Sequence, residues 1–100
     1  MRDLNCHFET FPLPDGTGVV SPQVVQVWNN EVLIVTAIVM INSAANAEFV
    51  SCKVSHKIYL TYRETCPELT TLSTVATKLV FQIPGLKKVR DYEIELNSIS

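Results

Sequence analysis

The stretch Val32-Leu-Ile-Val-Thr-Ala-Ile-Val-Met-Ile41 decides how this chain is read. Nine of its ten residues are apolar, and Thr36 alone interrupts them. Side chains on a strand alternate between two faces. As a strand, the run sends Val32, Ile34, Thr36, Ile38 and Met40 one way, and Leu33, Val35, Ala37, Val39 and Ile41 the other. Both sets are apolar, so both faces need covering. A chain of 100 residues builds one core readily, but it is short for walling off both faces of a sheet. The run therefore implies a second layer, a long loop or another subunit on the far side.

Around this run the periodicity is also that of strands. In residues 50–63, Val50, Cys52, Val54, His56, Ile58, Leu60 and Tyr62 share one face, and Ser51, Lys53, Ser55, Lys57, Tyr59, Thr61 and Arg63 share the other. A sustained period of two marks a half-buried strand, because a helix would scatter these residues round its axis. The small, polar Asn42-Ser-Ala-Ala-Asn-Ala47 lies between, so 31–42 and 48–63 are expected to form a long antiparallel hairpin. Residues 4–10 alternate, with Leu4, Cys6 and Phe8 on one side. Residues 24–28 read as a short strand, and Asn29-Asn30 after them suits a tight turn. Phe11-Pro-Leu-Pro-Asp-Gly-Thr-Gly18 reads as a loop. Further on, Leu79, Phe81 and Ile83 point inward, Ile83-Pro-Gly-Leu86 turns the chain, and 91–97 alternates with Tyr92, Ile94 and Leu96 inward.

Residues 67–77 decide the fold class. Leu69, Leu72, Val75, Ala76, Leu79 and Val80 recur at helical spacing, but five β-branched residues at 70, 71, 74, 75 and 77 stand against a helix. The fold expected is mainly β, an antiparallel sandwich of about six or seven strands. The alternative is α+β, an antiparallel sheet carrying one helix near 67–82. With no internal repeat, residues 1–100 are expected to form a single domain.

Composition narrows the function classes. Charged residues make up 18% of the chain, below the roughly 25% usual for soluble domains, and apolar residues 47%. So few charges to solvate the outside favour an oligomer or a permanent partner, either self or another protein. A net charge of −2 offers no cationic excess for phosphates or anionic lipid, which disfavours nucleic acid. The run at 32–41 is too short to span a bilayer as a helix. Three cysteines, Cys6, Cys52 and Cys66, are too few and too odd in number for a disulfide framework, and three reduced thiols fit a cytoplasmic protein.

Motifs of chemistry are weak. Cys52 and His56 share a face, but strand positions four apart lie roughly 13 Å from each other, too far for one metal ion. Cys66, with His56 or His7 as base, is the residue an enzyme would use, yet no cysteine-enzyme signature surrounds it. Three glycines leave little for phosphate-cradling loops, and no cofactor is implied. Lys53, Lys57, Tyr59 and Arg63 form a basic and aromatic stripe of the kind that stacks single-stranded nucleic acid. Asp91, Glu93 and Glu95 form an acidic stripe that would neutralise it.

The order of long hairpin, Leu-rich segment and short strand resembles, in topology alone, the small bacterial export chaperones of the SecB type. Those chaperones share the acidic balance and assemble through strands. The resemblance implies a holdase that binds unfolded segments. The leading expectation is a non-enzymatic interaction or assembly module, with a small cysteine-dependent enzyme as the rival from another class. Leu33, Val35, Val39 and Ile41 are the expected interface, and Ile34, Ile38, Val54 and Ile58 the expected common core.

Overall fold

The computed structural model describes residues 2–13, 23–65, 74–86 and 92–99. These residues form strands and no helix, in two sheets packed face to face. The strands are β1 (Arg2–Asp3), β2 (His7–Pro12), β3 (Gln23–Asn29), β4 (Val32–Asn42), β5 (Asn46–Val54), β6 (Ile58–Thr65), β7 (Thr74–Pro84) and β8 (Ile94–Ile99). One sheet runs β1-β5-β6-β8 and the other β2-β7-β4-β3. The expected sandwich is therefore present. The helix proposed near 67–82 is absent from 74 onward, where β7 begins; 67–73 lie outside the described residues.

The apolar run is the core of β4, paired with β3 on one side and β7 on the other. Its inward side is Leu33, Val35, Ala37, Val39 and Ile41, all buried. This corrects the sequence reading, which placed the interface at Leu33, Val35, Val39 and Ile41 and turned Ile34 and Ile38 inward. Register decides the matter: Leu33, Val35 and Ala37 lie opposite Ile83, Phe81 and Leu79 of β7, the face that strand must bury. Thr36 was the available signal. The one polar residue in the run marks the outer face.

The long hairpin is not formed either. β4 and β5 belong to different sheets, and residues 48–63 comprise most of two strands, β5 and β6. The chain changes sheet at Ser43-Ala44-Ala45, where the Asn42 side-chain Oδ1 accepts from Ala44 N at 2.9 Å and the Asn42 carbonyl accepts from Ala45 N at 2.9 Å. Such a side-chain-closed turn is what a short Asn offers the backbone. The break within 48–63 is hidden by parity. Ser55, His56 and Lys57 make a three-residue connection, so Val54 pairs Ile58 and Cys52 pairs Leu60. Opposed residues share a face, and an odd loop keeps the same numbering parity inward on both strands. Alternation thus runs through the turn as if no turn were there. A bulge at Val50 then switches the phase, and Phe49 rather than Val50 faces the core.

Other elements fall close to expectation. Of the strand expected over 4–10, β2 begins only at His7, and residues 4–6 carry the chain across from β1 in the other sheet, while Leu4, Cys6 and Phe8 all reach the core. The β3–β4 turn sits one residue later than expected, since Asn29 pairs Val32 and Asn30 takes the positive φ of 57°. Gly85, with φ 85°, carries the turn after β7. The last strand begins at Ile94 and pairs β6 in parallel, the one departure from antiparallel order among the described pairs.

A single cluster joins the sheets. Leu33, Val35, Leu79, Phe81 and Ile83 meet Cys52, Ile58, Leu60 and Tyr62. Phe8 bridges the layers, its ring centroid 5.0 Å from that of Phe81 and 5.9 Å from that of Phe49. Of the core once expected, Ile58 is buried and Val54 packs against the cluster, but Ile34 and Ile38 are on the outside. At one edge the Gln26 side chain binds the Tyr92 backbone twice, donating to its carbonyl and accepting from its N–H, and so ties β3 to the approach of β8.

Candidate functional site

The two outer faces of the sandwich differ in chemistry, and the difference follows from register. On the β1-β5-β6-β8 sheet, the residues opposite the core are Glu48, Lys53, Tyr59, Thr61, Arg63, Glu95 and Asn97. This face carries the expected basic stripe of Lys53, Lys57, Tyr59 and Arg63, and neighbouring acids answer it. Lys57 Nζ lies 3.1 Å from Glu95 Oε1 and 5.4 Å from the centre of the Tyr59 ring. Lys53 Nζ lies 4.0 Å from Asp3 Oδ1, and Glu48 of β5 is the backbone register partner of Arg63 of β6. The Tyr59 hydroxyl reaches His56 Nε2 at 3.5 Å. The face thus carries both signs of charge, and Asp91 of the acidic stripe lies outside the described residues.

Mutual stabilisation shows in the titration of the Lys57–Glu95 pair. The amide of Asn97, then Lys57, hold the Glu95 carboxyl below its ordinary value of 4.5. Glu95 in turn holds the Lys57 ammonium above its ordinary 10.5. A lowered carboxyl stabilises the fold above its unfolded pKa and loses that effect as pH falls through the folded value. A raised lysine stabilises below its unfolded pKa and loses the effect as pH rises through the folded one. The contribution is thus full across neutral pH and disappears in acid and in strong alkali. It is small, because both groups reach water. Lys57→Glu should lower the melting midpoint by a few degrees at most at neutral pH, and adding Glu95→Lys should restore part of it. Purely additive losses would show that the pair is not coupled.

The outer face of the β2-β7-β4-β3 sheet is apolar. Val25 and Val27 of β3 lie beside Thr36 and Ile34 of β4, which lie beside Val80 and Gln82 of β7. Ile38 and Met40 continue the row. Val25 is 53% exposed, Val27 56% and Met40 48%, well above the exposure of apolar side chains inside. Along β2 the same face turns polar, with His7 Nε2 2.9 Å from Glu9 Oε1, and Lys78 of β7, the register partner of both Ile38 and Phe11, places its Nζ 5.5 Å over the Phe11 ring. An apolar centre with a charged rim is the usual anatomy of a protein interface.

The cysteine and histidine candidates separate. His56 stands at the tip of the β5–β6 connection, and His7 is exposed on β2 beside Glu9. Cys66 lies outside the described residues. Among the described residues, no group of three or more His, Cys, Asp or Glu side chains is placed to hold a metal ion. Cys6 packs against the core cluster that holds Cys52, and the two thiols shift each other's titration, Cys6 down and Cys52 up, a juxtaposition that sequence spacing gives no reason to expect. Cys6 also lines a surface pocket of about 340 Å³ with Asn5, His7, Val32, Gln82 and Pro84. Among the described residues, no helix is long and apolar enough to cross a membrane. Comparison with protein families, curated proteins and solved structures finds no match to this chain. The resemblance to export chaperones also loses its basis, because the hairpin it relied on is divided between two sheets.

Proposed function

We propose that the protein is a non-enzymatic interaction module that works by self-assembly, two copies packing through the outer face of the β2-β7-β4-β3 sheet. The observation that carries this reading is the contrast between the two outer faces. One is studded with paired charges, and the other presents Val25, Val27, Ile34, Ile38, Met40 and Val80. Monomers rarely leave a contiguous apolar face of this extent open. Four strands at about 4.8 Å spacing and some seven residues of shared length span roughly 19 by 24 Å. That footprint is on the order of 450 Å² a side before corrugation is counted, so a pair approaches the ~1,000 Å² of a specific interface. A two-fold contact reuses the same patch on both copies and closes the assembly, and a sheet face can pack on its copy in the aligned sheet-on-sheet manner.

The test places a charge on each outer face in turn. Ile38→Lys should shift the sedimenting species from dimer to monomer and leave the far-ultraviolet β signal unchanged. Thr61→Lys, on the polar face, should sediment like the parent. An Ile38→Lys protein that keeps the parent's assembly would overturn the reading.

A further inference from the structure

We propose that Cys6 and Cys52 are a redox-active dithiol, converted by a low-molecular-weight disulfide of the glutathione type into an intramolecular bridge that ties the N-terminal segment to β5. The placement comes from the way the chain crosses between layers. β1 pairs β5 through Arg2–Val54 and Asp3–Lys53, and Leu4 N then donates to the Cys52 carbonyl at 2.9 Å. Two residues later the chain has left that sheet, and His7 pairs Gln82 in the other. Cys6 therefore sits on the crossing itself. Its side chain packs against the core cluster that holds Cys52, and its thiol donates to the His7 carbonyl at 3.7 Å. Both cysteines are free.

Exposure sets the order of the chemistry. Cys52 is 2% exposed, whereas Cys6 is half-buried and opens onto the pocket beside Asn5, His7 and Gln82. An incoming disulfide RSSR reaches Cys6 first. The electrostatics agree: the hydrogen bond from Cys52 holds the Cys6 thiol below its ordinary value, against the opposing effect of burial and with help from the Gln82 backbone. A stabilised thiolate is the attacking form. Cys52 is pushed up, first by the hydrogen bond it gives to Cys6, then by burial, then by the Cys6 charge.

In the first step the Cys6 thiolate attacks one sulfur of RSSR. A Cys6–S–S–R mixed disulfide forms, the S–S bond of RSSR breaks, and RS⁻ leaves to take a proton from water. Capping Cys6 removes the negative charge beside Cys52 that disfavours its thiolate. Cys52 then loses its proton to water and attacks the Cys6 sulfur. The Cys6–Cys52 bond forms and a second RS⁻ departs, to be protonated in turn. The two protein thiols lose two hydrogens and two electrons in all, and RSSR is reduced to two RSH. Dithiothreitol reduces the bridge back to two thiols and is itself oxidised to its cyclic disulfide.

The experiment incubates the native chain with oxidised glutathione and reads mass, free thiols and melting midpoint. Trypsin isolates the case cleanly, because no Lys or Arg lies between Arg2 and Lys53, and Cys66 falls in a different peptide. The expected product is peptide 3–53 lighter by two hydrogen atoms, without glutathione attached. Closing so long a loop should raise the midpoint by roughly 10 °C, reversibly on reduction. In Cys52→Ser the reaction should stop at glutathionylated Cys6, and in Cys6→Ser the thiol of Cys52 should stay unmodified. A native chain that ends with glutathione held on Cys6 and Cys52 still free would overturn the proposal. So would no reaction at either thiol, or a bridge from either one to Cys66.

Discussion

Val35→Lys is expected to abolish cooperative folding. Val35 is fully buried in the middle of β4, flanked by Phe81 of β7 and Gln26 of β3 and facing the opposite sheet. A lysine there has no acid to pair with in that register, and an uncompensated buried charge costs on the order of 3–5 kcal/mol before its extra volume is counted. A domain of this size has about 5–15 kcal/mol to lose. The melt followed by circular dichroism should flatten, or its midpoint fall by tens of degrees. The experiment discriminates sharply, because the adjacent Ile34 and the more distant Ile38 lie on the other face and should accept lysine with the fold intact. A Val35→Lys chain melting like its parent would mean that the two faces of β4 have been exchanged.

Phe81→Ala should cost about 3–5 kcal/mol, the range for removing a buried phenylalanine ring and leaving a cavity. Phe81 is the largest fully buried side chain among the described residues, opposes Val35 on β4 and Phe8 on β2, and stacks obliquely on Phe8 at 5.0 Å. Losing it also leaves Phe8 with only Phe49 as an aromatic neighbour among the described contacts. The collapse of the site is limited, since Leu33, Leu79 and Ile83 are held by backbone pairing on both sides of the gap. Urea titration should show the midpoint falling with the slope unchanged. A loss below about 1 kcal/mol would place Phe81 outside the core.

How much of this was legible in the sequence depends on what each element needed. Leu79, Phe81 and Ile83 alternate against Lys78, Val80 and Gln82, so the inward side of β7 was readable from the chain alone. The nearness of Lys57 to Glu95 was readable too, because opposite charges on two amphipathic strands have few other ways to be satisfied. The sense of β4 was harder, since hydrophobicity cannot choose between two apolar faces. Only Thr36 and the register to Phe81 separate them. The turn at Ser55, His56 and Lys57 was invisible for a geometric reason, an odd loop preserving parity. The parallel pairing of β6 with β8 and the meeting of Cys6 with Cys52 depend on where the chain changes sheets. No local periodicity encodes that. The apolar outer face is legible as a feature of the 32–41 run, but the run alone does not say that Ile34, Ile38 and Met40, rather than Leu33, Val35, Val39 and Ile41, form it.

The most direct test of self-assembly is sedimentation equilibrium of the unmodified, reduced chain across a concentration series from low to high micromolar. A sheet face carrying Val25, Val27, Ile34, Ile38, Met40 and Val80 predicts a reversible monomer–dimer equilibrium, with dimer dominant at the upper end. A single species of monomer mass throughout the series would contradict it.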